Sequence, residues 1–230
     1  MGLSEFISGT KQFLISGFRS FPIILAVTSF ILAIFQTNIA FILLFVAIAF
    51  IVPIANTFVN TIGEFILTKT SLDPSSYQIP VSAVCTIVSP EGLTEMPATI
   101  FGLPSYWLAT VVFFFSYLAV NGFSLYNRES SEHADKNAVF ARKSQAMMGA
   151  VLAIVIGLLF IGMRFIISGC EKGWGLVIAL FTMIPLAIGW YRFAAACGAD
   201  RLVDLFGIAN GMLPMSAKAN VPYVCVKETF

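Results

Sequence analysis

Between Arg19 and Glu64 the chain runs for 44 residues without a charged side chain. One helical crossing of a hydrocarbon core about 30 Å thick takes about 20 apolar residues at about 1.5 Å each. The window is therefore long enough for two crossings, and the polar trio Gln36-Thr37-Asn38 at its middle is a natural place to reverse. Further charge-free windows follow at 96–127, 144–163 and 173–191. The expectation is an all-α membrane protein, a bundle of five transmembrane helices occupying residues 21–198. The spans fall near 21–36, 39–63, 105–125, 145–168 and 174–195, or number four if the first hairpin is re-entrant.

Composition agrees. Charged residues are 11% of the chain, against roughly 25% in a soluble domain, and too few polar residues remain for a separate soluble domain. The net charge of +1 gives no electrostatic case for nucleic acid. Phenylalanine is the outlying residue, 23 of 230, which suits a lipid-facing surface. The first apolar run includes Glu5, Lys11 and Arg19, unlike a cleavable signal peptide. No Asn-x-Ser/Thr acceptor marks a glycosylated ectodomain.

Along the chain, residues 1–20 place Leu3, Phe6, Ile7, Phe13, Leu14 and Phe18 at helical spacing, with Ser4, Glu5, Lys11 and Arg19 on the other face. This pattern predicts an amphipathic helix in the interface. Pro53 removes a backbone donor inside the second span and predicts a kink. Five prolines between 68 and 104 forbid a long helix there and predict an extramembrane cap, irregular or β, with 81–88 as a strand. Tyr106, Trp107 and Tyr126 at the ends of the third span match aromatic belts. Residues 199–230 read as a short amphipathic helix followed by an extended tail. Five spans put Lys11, Arg19, Lys69 and Lys172 on one side. Arg128, Lys136, Arg142, Lys143, Arg192, Arg201, Lys218 and Lys227 lie on the other, so the C-terminus is expected on the cytosol-equivalent side.

Chemistry is sparse. Asn56, Asn60 and Glu64 form an i, i+4, i+8 stripe past Pro53, a pore or polar-stripe candidate because polar groups inside a membrane are expensive. The bland alternative is that the asparagines bond neighbouring helices and Glu64 marks the interface. Arg164, near the end of span four, has Glu64 and Glu171 as available partners. Gly149, Ala153 and Gly157 repeat small residues every four positions, a helix-packing seam that suits a neighbouring helix or a second copy of the chain. His133 reads as a solvated surface residue, and so do Asp200 and Asp204. Cys85, Cys170, Cys197 and Cys225 lack metal-ligand spacing; Cys85/Cys170 and Cys197/Cys225 would share a side, but isolated cysteines are mostly small buried hydrophobes. No catalytic set and no phosphate loop is present, and neither a metal nor a cofactor is expected. The chain does not read as an enzyme.

Pro104-Ser105-Tyr106-Trp107, Gly189-Trp190-Tyr191, and Cys197-Gly198-Ala199-Asp200 leading into Asp204-Leu205-Phe206-Gly207-Ile208 resemble the texture of multi-pass membrane proteins of nucleocytoplasmic large DNA viruses. The resemblance covers roughly residues 100–226. It implies a component of a virion inner membrane, or of host endomembranes before assembly, with capsid proteins as partners. The leading expectation is a structural, scaffolding membrane protein whose partners are the lipid bilayer and other proteins of a larger assembly. A channel or transporter subunit using the polar stripe, and an accessory subunit of a large membrane complex, stand as alternatives.

Overall fold

The computed structural model describes residues 17–36, 39–67, 69, 78–80, 99–101, 103–129, 136–168 and 171–198. The described part is almost wholly helical. Helix α1 spans Phe21–Gln36, preceded by a helical turn at 17–19. Helix α2 runs from Ile39 to Leu67 through a π-helical turn, Ala47–Ile51. Helix α3 is Tyr106–Asn127. Helix α4 is Lys136–Met163, widening into a π turn at Arg164–Ser168. Helix α5 is Gly173–Gly198. Among the described residues, α2, α3, α4 and α5 are long and apolar enough to cross a membrane. Helix α1 is apolar but, at 16 residues, is about 24 Å long and shorter than the core.

Where Pro53 predicts a kink, the helix carries a π turn, Ala47–Ile51, just before the proline. Val52 N–H reaches back five residues to the Ala47 carbonyl. The next acceptor in that register is Ile48, whose donor would be Pro53, which has no N–H. The Tyr106 hydroxyl of α3 donates to the Ile48 carbonyl at 3.2 Å instead, so the helix continues through the proline with its freed carbonyl satisfied.

Helix α3 is the hub. Of its apolar window 56% is buried inside the molecule, against 17% and 22% for α4 and α5, and residues Trp107 to Phe113 are consecutively buried. A helix apolar and buried on every face must be surrounded; α3 packs chiefly against α4 and α5 and also touches α1 and α2. Close approach to α4 depends on small residues. A Cβ on Gly122 would lie 2.8 Å from both the Ala146 carbonyl oxygen and the Ala150 methyl, and one on Gly157 would lie 3.0 Å from Phe115. The outer faces of α1, α2, α4 and α5 expose Phe35, Phe58, Leu158, Ile166 and Phe181, an apolar surface suited to lipid.

Two tryptophans fasten the α1–α2 hairpin to the rest. Trp107 Nε1–H donates to the Phe18 carbonyl at 2.8 Å, and Trp190 Nε1–H donates to the Leu43 carbonyl at 3.2 Å. Trp107 therefore does not serve a lipid-facing aromatic belt. It is 1% exposed because its ring is needed between Phe18 and Phe21. Two short strands, β1 Gln78–Pro80 and β2 Thr99–Phe101, pair antiparallel with Ile79 opposite Ile100. The strand expected at 81–88 lies outside the described residues, as do positions 1–16 of the amphipathic helix expected over 1–20 and the tail beyond 198.

Candidate functional site

The starts of α3 and α5 and the end of α4 meet at one end of the bundle, and a buried ionic cluster closes that junction. Ser105 has extended backbone angles and caps α3, its Oγ accepting from Leu108 N–H at 3.1 Å. The same hydroxyl donates to Glu171 Oε1 across the junction. Arg164, the first residue of the π turn ending α4, donates from Nε to the same oxygen at 3.3 Å. Its guanidinium carbon also sits 5.0 Å from the centre of the Trp107 ring, in cation–π range. Arg164 and Glu171 are 1% and 5% exposed. Glu171 Oε2 has no hydrogen-bond partner. Glu171 lies between the two spans, and burial raises its carboxyl above the ordinary range, opposed by the bonds from Ser105 and Arg164. This arrangement can hold three chain segments in one geometry. It has no nucleophile–base pair.

Of the two partners available to Arg164, Glu171 is the one it bonds. The stripe on α2 divides because successive steps of four residues rotate about 40° around a helix. Asn56 is buried, and Asn60 is half-buried and donates from Nδ2 to the Pro104 carbonyl at 3.3 Å. Glu64 lies on the exposed side. The Oδ1 atoms of Asn56 and Asn60 have no hydrogen-bond partner. The small-residue face of α4 that meets α3 carries Ala146, Ala150, Ala153 and Gly157, whereas Gly149 is exposed with open space where a Cβ would go. Cys197 is an exposed free thiol; Cys85, Cys170, Cys225, His133, Asp200 and Asp204 lie outside the described residues. Among the described residues no three metal-capable side chains converge.

Ser105 as a bridge between α3 and Glu171, and Trp107 as an inward residue, are the site features that the sequence pattern does not separate from an ordinary helix start. Nothing local in the sequence says that the Ser105 hydroxyl proton goes to a residue 66 positions away.

The class defined by this fold and site is a membrane-embedded helical bundle with a buried, closed ionic junction. Comparisons with protein-family models, curated proteins and solved structures return no match.

Proposed function

We propose that this chain is a structural, scaffolding multi-pass membrane protein with five spans, α1 serving as the short fifth, that holds extramembrane segments in place for protein partners. The observation that carries this reading is the use of the buried charge. Arg164 and Glu171 are bonded to each other, and Glu171 also to Ser105, at a helix junction, where they fix geometry. An ion-conducting role would favour ionisable groups along a path, as is usual for functional intramembrane charges. The dense packing around α3 supports the same reading. The resemblance of residues 100–226 to viral membrane proteins adds the location: a virion inner membrane, with capsid proteins among the partners that contact the chain through the cap at 68–104, the connector at 127–143 and the C-terminal tail. The decisive experiment is affinity purification of the full chain from its native membrane, with mild cross-linking. Coat-forming proteins are expected to accompany it. Recovery of redox subunits instead, or ion flux in liposomes that Glu64→Gln abolishes, would overturn the reading.

A further inference from the structure

At the end of the bundle opposite Glu171, the last turns of α3 and the third-from-last turn of α5 enclose a cleft of about 580 Å³, a volume within the range of small-ligand sites. Asn121 and Ser124 line it from α3, with Arg128 in extended conformation just past the helix end, and Ile188, Tyr191 and Arg192 line it at i, i+3, i+4 from α5. Asn121 is only 2% exposed, yet its Oδ1 has no hydrogen-bond partner. A buried polar atom left unpaired costs about 1–3 kcal/mol, and the residue that carries this one is among those lining the cleft. A small turn of the amide that brought its oxygen to the cleft would let it accept from a ligand N–H or O–H. Arg128, Arg192, Asn127 and Ser124 are also among the lining residues, and their side chains are of the donor types suited to a phosphate. Phe123, also on its wall, is turned to the apolar outer surface. Phosphate donors, a buried acceptor and an apolar flank occur together. Lys136 and Lys143 begin α4 at the same end, and basic pockets between membrane helices are known takers of anionic head groups.

We propose that this cleft binds an anionic phospholipid whose head group carries hydroxyls, with the phosphate at Arg128 and Arg192 and a head-group O–H donated to Asn121 Oδ1. The proposal does not depend on the scaffolding role, since a lipid can be held by a protein of any function.

The test uses the full chain in nanodiscs of phosphatidylcholine, with and without about one-tenth phosphatidylinositol, read by lipid extraction after purification and by thermal melting. The wild type is expected to carry phosphatidylinositol enriched about tenfold over its share of the bilayer, equivalent to about 1.4 kcal/mol, and to melt higher when that lipid is present. Arg192→Gln should bring the enrichment near parity. Asn121→Leu should melt no lower than the wild type in phosphatidylcholine alone, because its amide oxygen has no partner there, and should lose the phosphatidylinositol-dependent rise. A residue that merely supports the fold would show the opposite pattern. Inorganic phosphate and soluble inositol phosphate, added to phosphatidylcholine discs, should give no comparable rise. An equal rise with either would mean a soluble anion site and overturn the lipid assignment. So would absence of enrichment in the wild type, or enrichment unchanged in both variants.

Discussion

A single carboxylate shows how the junction works. Glu171 accepts from both Ser105 and Arg164 on one oxygen while its other oxygen is buried and unpartnered, so the charged form is incompletely compensated and its proton affinity is raised. The folded chain then holds a proton more tightly at Glu171 than the unfolded chain does. The stability that this group contributes is full below the ordinary carboxylate range and is lost as pH climbs through the raised folded value. Melting of the wild type relative to Glu171→Gln, followed across about pH 4 to 8, is therefore expected to show a difference that declines with rising pH. A difference that grows with pH would mean that the ion pair outweighs burial. Arg164→Met leaves the carboxylate buried without its cation and is expected to cost about 3–5 kcal/mol, whereas Arg164→Met combined with Glu171→Met should recover most of it. Chemical unfolding of the four proteins of that cycle measures the coupling. Arg164 stood out in the sequence as an intramembrane charge with two candidate partners. Choosing between them needed the return of the chain after the π turn at Arg164–Ser168, which no local pattern specifies.

Between helices, what matters is which face of each meets its neighbour. Small residues on α4 were visible as a seam, but Gly149, Ala153 and Gly157 step about 40° per four residues, so a straight seam cannot include all three. Hydrophobicity gives no help in a span where nearly every residue is apolar, and burial in the folded molecule decides. Gly122→Ala would place a methyl group 2.8 Å from the Ala150 methyl and from a backbone oxygen, atoms without a flexible end to move, and is expected to cost about 1–3 kcal/mol. Gly149→Ala meets open space and should be neutral or stabilising by up to about 1 kcal/mol through helix propensity. Thermal melting of the two alanine variants in detergent orders them; a neutral Gly122→Ala would show that α3 and α4 are less tightly apposed. A second consequence belongs to α2. Tyr106 donates to a carbonyl that Pro53 leaves free, so Tyr106→Phe should cost about 0.6–1.7 kcal/mol. In a Pro53→Ala background, a backbone N–H becomes available to the freed turn and the same substitution should cost measurably less. Equal costs in both backgrounds, measured by unfolding equilibria, would separate the hydroxyl from the proline.

For the molecule as a whole, charge-free windows locate the long helices closely because the bilayer imposes a length that soluble folds do not. The windows at 96–127, 144–163 and 173–191 overlie α3, α4 and α5. The windows do not mark the helix ends: α4 begins at Lys136, before its apolar window, as expected of a charged connector that continues as helix towards the fourth span, since a helix continues into water wherever its backbone bonds remain satisfied. The first hairpin is where length alone is ambiguous, with α1 at 16 residues beside an α2 that runs to Leu67. Phe30 of α1 lies 5.1 Å from Phe45 of α2, ring to ring, which sets the two helices side by side. The Phe18–Trp107 bond places the start of α1 at the same end as the start of α3, and Trp190 ties Leu43 near the far end of α5. A helix that starts beside the first turn of α3 and turns back beside the far part of α5 traverses most of the bundle. In a cysteine-free variant in which Asn38→Cys is the sole thiol, a membrane-impermeant maleimide is therefore expected to react from the side that carries the 127–143 connector. A control thiol at position 133 (His133→Cys) should react from that same side. Labelling of position 38 from the opposite side would mean that α1 does not cross and leave the four long helices as spans; no labelling from either side while position 133 reacts would make the first hairpin re-entrant and leave α3, α4 and α5.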